Sequence, residues 1–189
     1  MARTKSFEPA FALQQALFEF WRDGYERTST DALTAAMGIG KRSLYDTFGT
    51  KHDLYLRTLT TYIAHAEESH TQAVEAAPGG GLAGVRALLR SRVALPGCPS
   101  GCFAVNAATE RPDDPDVHAA VHGYFTRSTD RIAWLLRQED QWAGTRRERL
   151  DRAAQAVHNG WLGLRVQARL GSPDPELDAA ADDLLSPLR

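Results

Sequence analysis

Between Tyr25 and Leu59 the chain reads YERTSTDALTAAMGIGKRSLYDTFGTKHDLYLRTL. The spacing predicts two short helices joined by a tight turn, followed by a long third helix. Ser29 or Thr30 can cap the first by accepting a backbone N–H, and Leu33, Ala36 and Met37 supply its apolar face. Gly38 is the residue type that ends a helix in a left-handed conformation, Ile39 offers a buried plug, and Gly40 turns the chain into a second helix, Lys41 to Phe48. On that helix Leu44 and Phe48 are four apart and point inward together, leaving Arg42, Ser43, Tyr45 and Asp46 outward. Gly49 stops it. Thr50 caps the next helix, with Asp53 in the third position of a capping box. A helix, a glycine-containing turn and a polar second helix with a basic start is the helix-turn-helix arrangement.

Upstream, residues 1–8 are polar and basic and read as a loose arm whose Arg3 and Lys5 can touch DNA phosphates or the minor groove, a disordered terminus being the plainer reading. A first helix is expected from about Pro9 to Asp23, with Leu13, Ala16, Leu17 and Phe20 as the stripe that packs on Leu33, Leu44 and Phe48. Downstream, the helix opened by Lys51 is expected to reach Ala76, where Pro78-Gly79-Gly80-Gly81 breaks the chain. Further helices are expected over Leu82 to Leu95, Cys102 to Thr109, Pro115 to about Gln141, Thr145 to Leu170 and Pro175 to about Leu185. No segment alternates as an exposed-face strand does, so the expectation is an all-α chain of about nine helices. It divides at the fourth helix into residues 1–50, a helix-turn-helix unit, and residues 51–189, a helical second domain.

The residues GIGKRSLYDTFGTKHDLY carry a specific resemblance. A short recognition helix with Leu44-Tyr45, then Phe48, then Lys51 opening the next helix is similar to the tetracycline-repressor (TetR) family of bacterial transcription regulators, and the preceding GYERTSTDALTAAMGI matches as well. The match covers roughly the first third of the chain. It implies a homodimeric, ligand-responsive regulator, in the usual case a repressor, that binds a palindromic double-stranded operator. By the same resemblance Thr30, Tyr45 and Lys51 are expected at phosphates, where a hydroxyl, a phenol and an ammonium suit the oxygens. Lys41, Arg42 and Ser43 begin the recognition helix, from which side chains reach base edges. Asp46 can accept from a cytosine amino group or hold Arg42 one turn away, and the tether is the plainer reading. The helices Thr145–Leu170, with Leu150, Ala153, Ala154, Val157, Trp161 and Leu164, and Pro175–Leu185 are implied to pair with their copies as a four-helix bundle.

Composition restricts the alternatives. The formal charge is −2, but residues 1–60 carry eight Lys/Arg against seven Asp/Glu, and all three lysines (Lys5, Lys41, Lys51) lie there. DNA affinity must then come from local placement of charge and from dimerisation. No apolar run approaches a membrane span and MARTKSF lacks the apolar core of a signal peptide, so a cytoplasmic protein without membrane contact is expected. GIGKRS fails as a phosphate-binding loop, because Ala35 occupies the first glycine position and Arg42 precedes Ser43. Without a G-x-S-x-G, H-E-x-x-H or C-x-x-C motif, neither an enzyme nor a cofactor is expected.

For the effector, aromatic residues of the second domain suggest a largely apolar cavity between the fourth helix and the segments holding Cys102, Phe103, Asn106, His122, Phe125 and Trp134, with Asn106 or His122 orienting the ligand. Cys98 and Cys102 are too few for a disulfide framework, and joined by His118 and His122 they would make a metal set, though ordinary helix positions are the plainer reading. Gly101-Cys102-Phe103 resembles a segment of a TetR-family subgroup with electrophile-sensing members. A thiol sensor using Cys102, its thiolate favoured by a helix N-terminus, is therefore the alternative to reversible binding.

Overall fold

The computed structural model describes residues 7–188, so the arm residues Arg3 and Lys5 lie outside it. Among the described residues there are nine α-helices and no strand. They are α1 (Pro9–Asp23), α2 (Thr30–Met37), α3 (Lys41–Phe48), α4 (Lys51–Ala76), α5 (Gly81–Arg90), α6 (Phe103–Glu110), α7 (Pro115–Leu136), α8 (Arg147–Arg169) and α9 (Asp174–Leu185). No helix is long and apolar enough to cross a membrane.

The first three helices form the head, closed by the start of α4. Pro9 sits where a proline is pre-organised for a helix start, and Ala16, Leu17, Phe20 and Trp21 bury the inner face of α1 against α2 and α4. Leu33, Leu44 and Leu54 are each 0% exposed, so the three helices share one apolar centre. The α4 helix then runs on for 26 residues into the body. There it packs on α5, α6 and α7, while α8 lies against α7 and α9. The apolar core is continuous from head to body.

Two helices of the body stop earlier than their apolar periodicity predicts, and the causes lie far away in sequence. The α5 helix ends at Arg90 rather than Leu95. Arg165 of α8 donates to the carbonyls of Leu89 and Ser91, and Pro96 biases Leu95 toward extended backbone. The α7 helix ends at Leu136 rather than Gln141. The next residues are used to cap α5, whose own N-cap, Gly80, has no side chain: Gln138 Oε1 accepts from Gly81 N (3.2 Å) and Glu139 Oε1 from Leu82 N (2.7 Å). A single turn of 3₁₀-helix, Asp140–Trp142, follows.

Most of the residues expected to form a dimer stripe on α8 and α9 pack into the chain's own core, while Ala153 and Leu184 stay partly exposed. Leu150, Ala154, Val157, Trp161, Leu177, Ala181 and Leu185 are all buried within the single chain. The outward side of α8 carries Val166, 47% exposed, and Leu170, 82% exposed.

Candidate nucleic-acid interface and the interior of the second domain

The head is shaped by local hydrogen bonds. Ser29 Oγ accepts from Ala32 N at 3.0 Å, which makes Ser29 the cap and Thr30 the first helical residue of α2. Gly38, at φ 65°, closes α2 while Ile39 N reaches back to Thr34 O at 3.1 Å. At the start of α4 the capping box is complete: Thr50 Oγ1 accepts from Asp53 N (3.1 Å) and Asp53 Oδ2 accepts from Thr50 N (2.8 Å). The Thr50 hydroxyl (2.7 Å) and the Thr50 N–H, both donating to Asp53 Oδ2, hold that carboxyl below its ordinary pKa.

Leu44 and Phe48 anchor α3, so its opposite side is presented outward. Arg42 extends into solvent with its side chain 94% exposed, and its Nε lies 3.6 Å from Asp46, a loose tether. Lys41 is held more firmly, 2.6 Å from Asp31 of α2, and that contact raises its pKa. Tyr45 is half exposed, Ser43 and Thr30 partly buried. Lys51 Nζ sits 4.2 Å from the centre of the Tyr25 ring. The cations expected at phosphates and bases thus each have an exchangeable partner on the protein, available to be traded for DNA.

Head and body meet in a second polar cluster that sequence reasoning missed. Glu110, the last residue of α6, accepts from the backbone N–H groups of Tyr25 (2.9 Å) and Glu26 (3.0 Å). Gly24, at φ 80°, makes the approach possible, since a Cβ there would lie 2.7 Å from the Glu110 carboxylate. Arg111 bridges Glu26 (2.9 Å) and Asp114 (2.8 Å), and His52 Nε2 is 2.8 Å from Asp114. Asp114 is also the cap of α7, where it accepts from Asp116 N and Val117 N. Arg111, with His52, holds its carboxyl well below the usual range. Nothing local signals that Arg111, His52 and Glu110 converge on the α1–α2 turn.

The six residues expected to line an effector cavity do not come together. Phe103 is 1% exposed, its ring edge-on to Tyr55 and Tyr62 in the core. Asn106 turns toward the head and donates to Trp21 O at 3.4 Å. His122 is exposed and stacks on His118, while Trp134 is 61% exposed. Only His122 and Phe125 share an opening, a groove of about 440 Å³ between α7 and α8 that Thr129, Asp130, His158 and Asn159 also line. Cys102 is 1% exposed, and burial pushes its thiol pKa up, against the stabilised thiolate expected from its place before α6. The metal set fails too. Among the described residues the potential ligands that gather are His52, Asp114 and Asp116, not the cysteines with His118 and His122, and Asp114 there is occupied by Arg111, His52 and its own cap.

The interior of the body holds an unforeseen polar cluster. His70 stacks on Tyr124 with 6.0 Å between ring centres and meets Trp161 edge-on at 5.7 Å. The Arg165 guanidinium lies 5.3 Å from the Trp161 ring and is 5% exposed. Burial, aided by the charges of Arg165 and Arg131, pulls His70 down to about 3, and burial alone pulls His158 down to about 4. Both rings are therefore neutral at pH 7.

Comparison with known proteins agrees with this architecture. Residues 12–58 match the family model of the bacterial regulatory proteins, tetR family. The chain is 35% identical over 150 residues to the uncharacterized HTH-type transcriptional regulator YezE of Bacillus subtilis (strain 168), spanning 75% of each. It is 33% identical over 119 residues to the HTH-type transcriptional repressor ComR of Escherichia coli (strain K12), covering 61% of this chain and 57% of ComR. A cysteine mutant of the TetR family transcriptional regulator CifR, complexed with 26-bp double-strand operator DNA, superposes with a TM-score of 0.83 at 29% identity, over 97% of this chain and 98% of that one. With its helix-turn-helix head, its all-helical body and these relatives, the chain belongs to the TetR family of DNA-binding transcriptional regulators, which are not enzymes.

Proposed function

We propose that this protein is a homodimeric, cytoplasmic repressor that binds a palindromic operator through two heads and releases it when a small effector enters the body. The observation that carries the reading is the outward presentation of Lys41, Arg42 and Tyr45 on α3, anchored by Leu44 and Phe48, with Lys51 beside them at the start of α4. Residues 1–50 act as the DNA-reading unit and residues 51–189 as the receiving and pairing unit. Thr30, Tyr45 and Lys51 contact phosphates, while Lys41, Arg42 and Ser43 address base edges at the start of α3. The operator complex of CifR and the repressor ComR support this assignment by likeness.

Pairing uses the outward side of α8, where Val166 and Leu170 leave apolar surface uncovered. Light scattering should find a dimer, split by Leu170→Glu; a stable monomer at micromolar concentration rejects the assembly. For the DNA function, an operator-sized duplex is selected from a random pool and titrated at several salt concentrations. Lys51→Ala should weaken binding and flatten the salt slope by about one unit. Unchanged affinity and slope would remove Lys51 from the interface. The burial of Cys102 favours reversible occupancy over a thiol trigger.

A further inference from the structure

Arg165 is the charged side chain most at odds with its surroundings. It is 5% exposed, and among the described residues no carboxylate lies within 4 Å of it. The ionisable groups that act on it are Cys102, Arg92, Tyr62 and Tyr124, none of them an acid ionised at neutral pH. A guanidinium remains charged under all physiological conditions, so this is a buried cation with no counter-ion. Two of its nitrogens donate to Ser91 O (3.0 Å) and Leu89 O, where the C-terminal end of α5 gives partial compensation. Its Nε has no partner.

The neighbours are unfinished in the same sense. Arg165, Tyr124 and Trp161 wall one small cavity with Tyr62, His70 and Val93. The Trp161 indole N–H has no acceptor and the Tyr124 hydroxyl has no partner within hydrogen-bond distance; the hydroxyl of Ser128, the side chain that acts on it, donates to the Tyr124 carbonyl. Tyr124 is 0% exposed and Trp161 2%. A buried donor left unpaired costs stability, and three around one void share the same deficiency, an anionic acceptor. No Asp or Glu lines the cavity.

We propose that this cavity is the effector site of the regulator and that its ligand is a small monocarboxylate, held by Arg165 and by the Tyr124 and Trp161 donors, with its apolar body against the aromatic rings. The proposal rests on the ligand-responsive reading above and names the chemical class that reading leaves open. A guanidinium offers the planar fork that matches a carboxylate. Arg92 also lines the cavity but is paired with Asp174 at 2.9 Å, so Arg165 is the one uncompensated cation there and balances one negative charge. In the closed form the void is about 10 Å³, room for roughly one water, so the acid must displace something. The nearest acceptors to give way are the Ser91 and Leu89 carbonyls, which hold residues 91–101 over the site. That segment leads directly into Cys102 and α6, whose far end, Glu110, grips the α1–α2 turn of the head. Exchange of carbonyl for carboxylate at Arg165 therefore reaches the head through eight residues of helix.

The test uses the full chain at constant ionic strength and pH 7.5, titrated with sodium propionate, sodium benzoate, inorganic phosphate and the neutral analogue benzyl alcohol. Thermal unfolding and operator release are both followed. Propionate or benzoate should raise Tm saturably and release the operator, while phosphate and benzyl alcohol should do neither. Tyr124→Phe should weaken the acid about tenfold, as expected for one hydrogen bond to a charged group. Arg165→Gln should abolish the response with the far-UV helical signal intact. If Arg165→Gln does not fold, Tyr124→Phe decides: unchanged affinity overturns the site. No saturable effect of either acid on the wild type also overturns it, as does an equal response in Arg165→Gln. Operator release by benzyl alcohol without binding of any acid leaves the ligand-responsive reading standing and removes the carboxylate site. Acid binding that leaves operator affinity unchanged keeps Arg165 as the binding residue and defeats its role as effector site.

Discussion

The polar cluster where head meets body and the polar cluster inside the body are built on opposite principles. At the junction every charge has its complement: Arg111 lies between Glu26 and Asp114, His52 lies on Asp114, and Glu110 takes two backbone N–H groups. Around Arg165 the donors outnumber the acceptors, and a cation, a phenol and an indole share a void without an acid. A complete cluster fixes geometry, whereas an incomplete one stores unused binding capacity. One continuous apolar core joins the regions that carry them, so the satisfied cluster, at the partly exposed junction, holds the head in place while the buried one keeps its donors unused.

The largest expected effect separates the clusters by acid. An unfolded histidine has a pKa near 6.5, while His70 is held at about 3 and His158 at about 4. Between those values the unfolded chain binds protons that the folded chain refuses. Stability is therefore full above about pH 6.5 and declines as pH falls toward 4, by on the order of 3 kcal/mol for each of the two rings. Asp114 behaves differently: its folded pKa is depressed, so its contribution persists to about pH 4 and is lost only below that. Urea titrations at pH 7.5, 6, 5 and 4 measure the slope, and His158→Leu should flatten it. A slope unchanged by His158→Leu would deny that this ring is buried neutral.

Next in size is Asp114→Ala, which strips the cap of α7 and leaves Arg111 and His52 without their shared partner. It should cost about 1–3 kcal/mol, read as a lower urea midpoint at unchanged m-value. Gly24→Ala should cost about 1–2 kcal/mol, because it places a Cβ at positive φ and against Glu110. Operator affinity should fall with it, since the α1–α2 turn is what Glu110 holds. At the other end, Tyr124→Phe removes a buried hydroxyl that has no partner and should leave the unliganded protein no less stable, with a gain of up to about 1–3 kcal/mol from relieving that unpaired group. A large loss there would show that the hydroxyl is satisfied after all, and the contrast between the clusters would disappear.

What the sequence disclosed follows from the range of the forces involved. The head was legible almost residue by residue because its determinants are local. Gly38 and Gly49 end helices, Ser29 and Thr50 cap them, and Leu44 and Phe48 sit one turn apart. In the body, periodicity predicted that helices exist but not where they stop. The end of α5 is set by Arg165, 74 residues beyond Ser91, and the end of α7 by the capping needs of Gly81 and Leu82. The same limit explains the misplaced pairing stripe. Ala154 and Leu185 are apolar at helical spacing, yet spacing does not say whether a face meets its own chain or a copy. The aromatic residues were assigned to one cavity by composition alone, and folding sent Phe103 to the core and Trp134 to solvent.

The length of α4 has a mechanical consequence. Its 26 residues make a rod of about 39 Å with Lys51 at the head and Ala76 at the remote end. Pivoting at the remote end, a tilt of roughly 5° carries Lys51 through about 3.4 Å, one base-pair step of B-DNA. In a two-fold pair the rods swing in mirrored senses about the axis of symmetry, so their tips separate or close by about twice that step. A duplex presents its grooves at fixed intervals, like the marks of a ruler, and a caliper whose jaws miss by two marks no longer grips both half-sites. In the homodimer proposed above, an angular change too small to disturb the packing of any single helix would thus be enough to take the pair out of register with its operator.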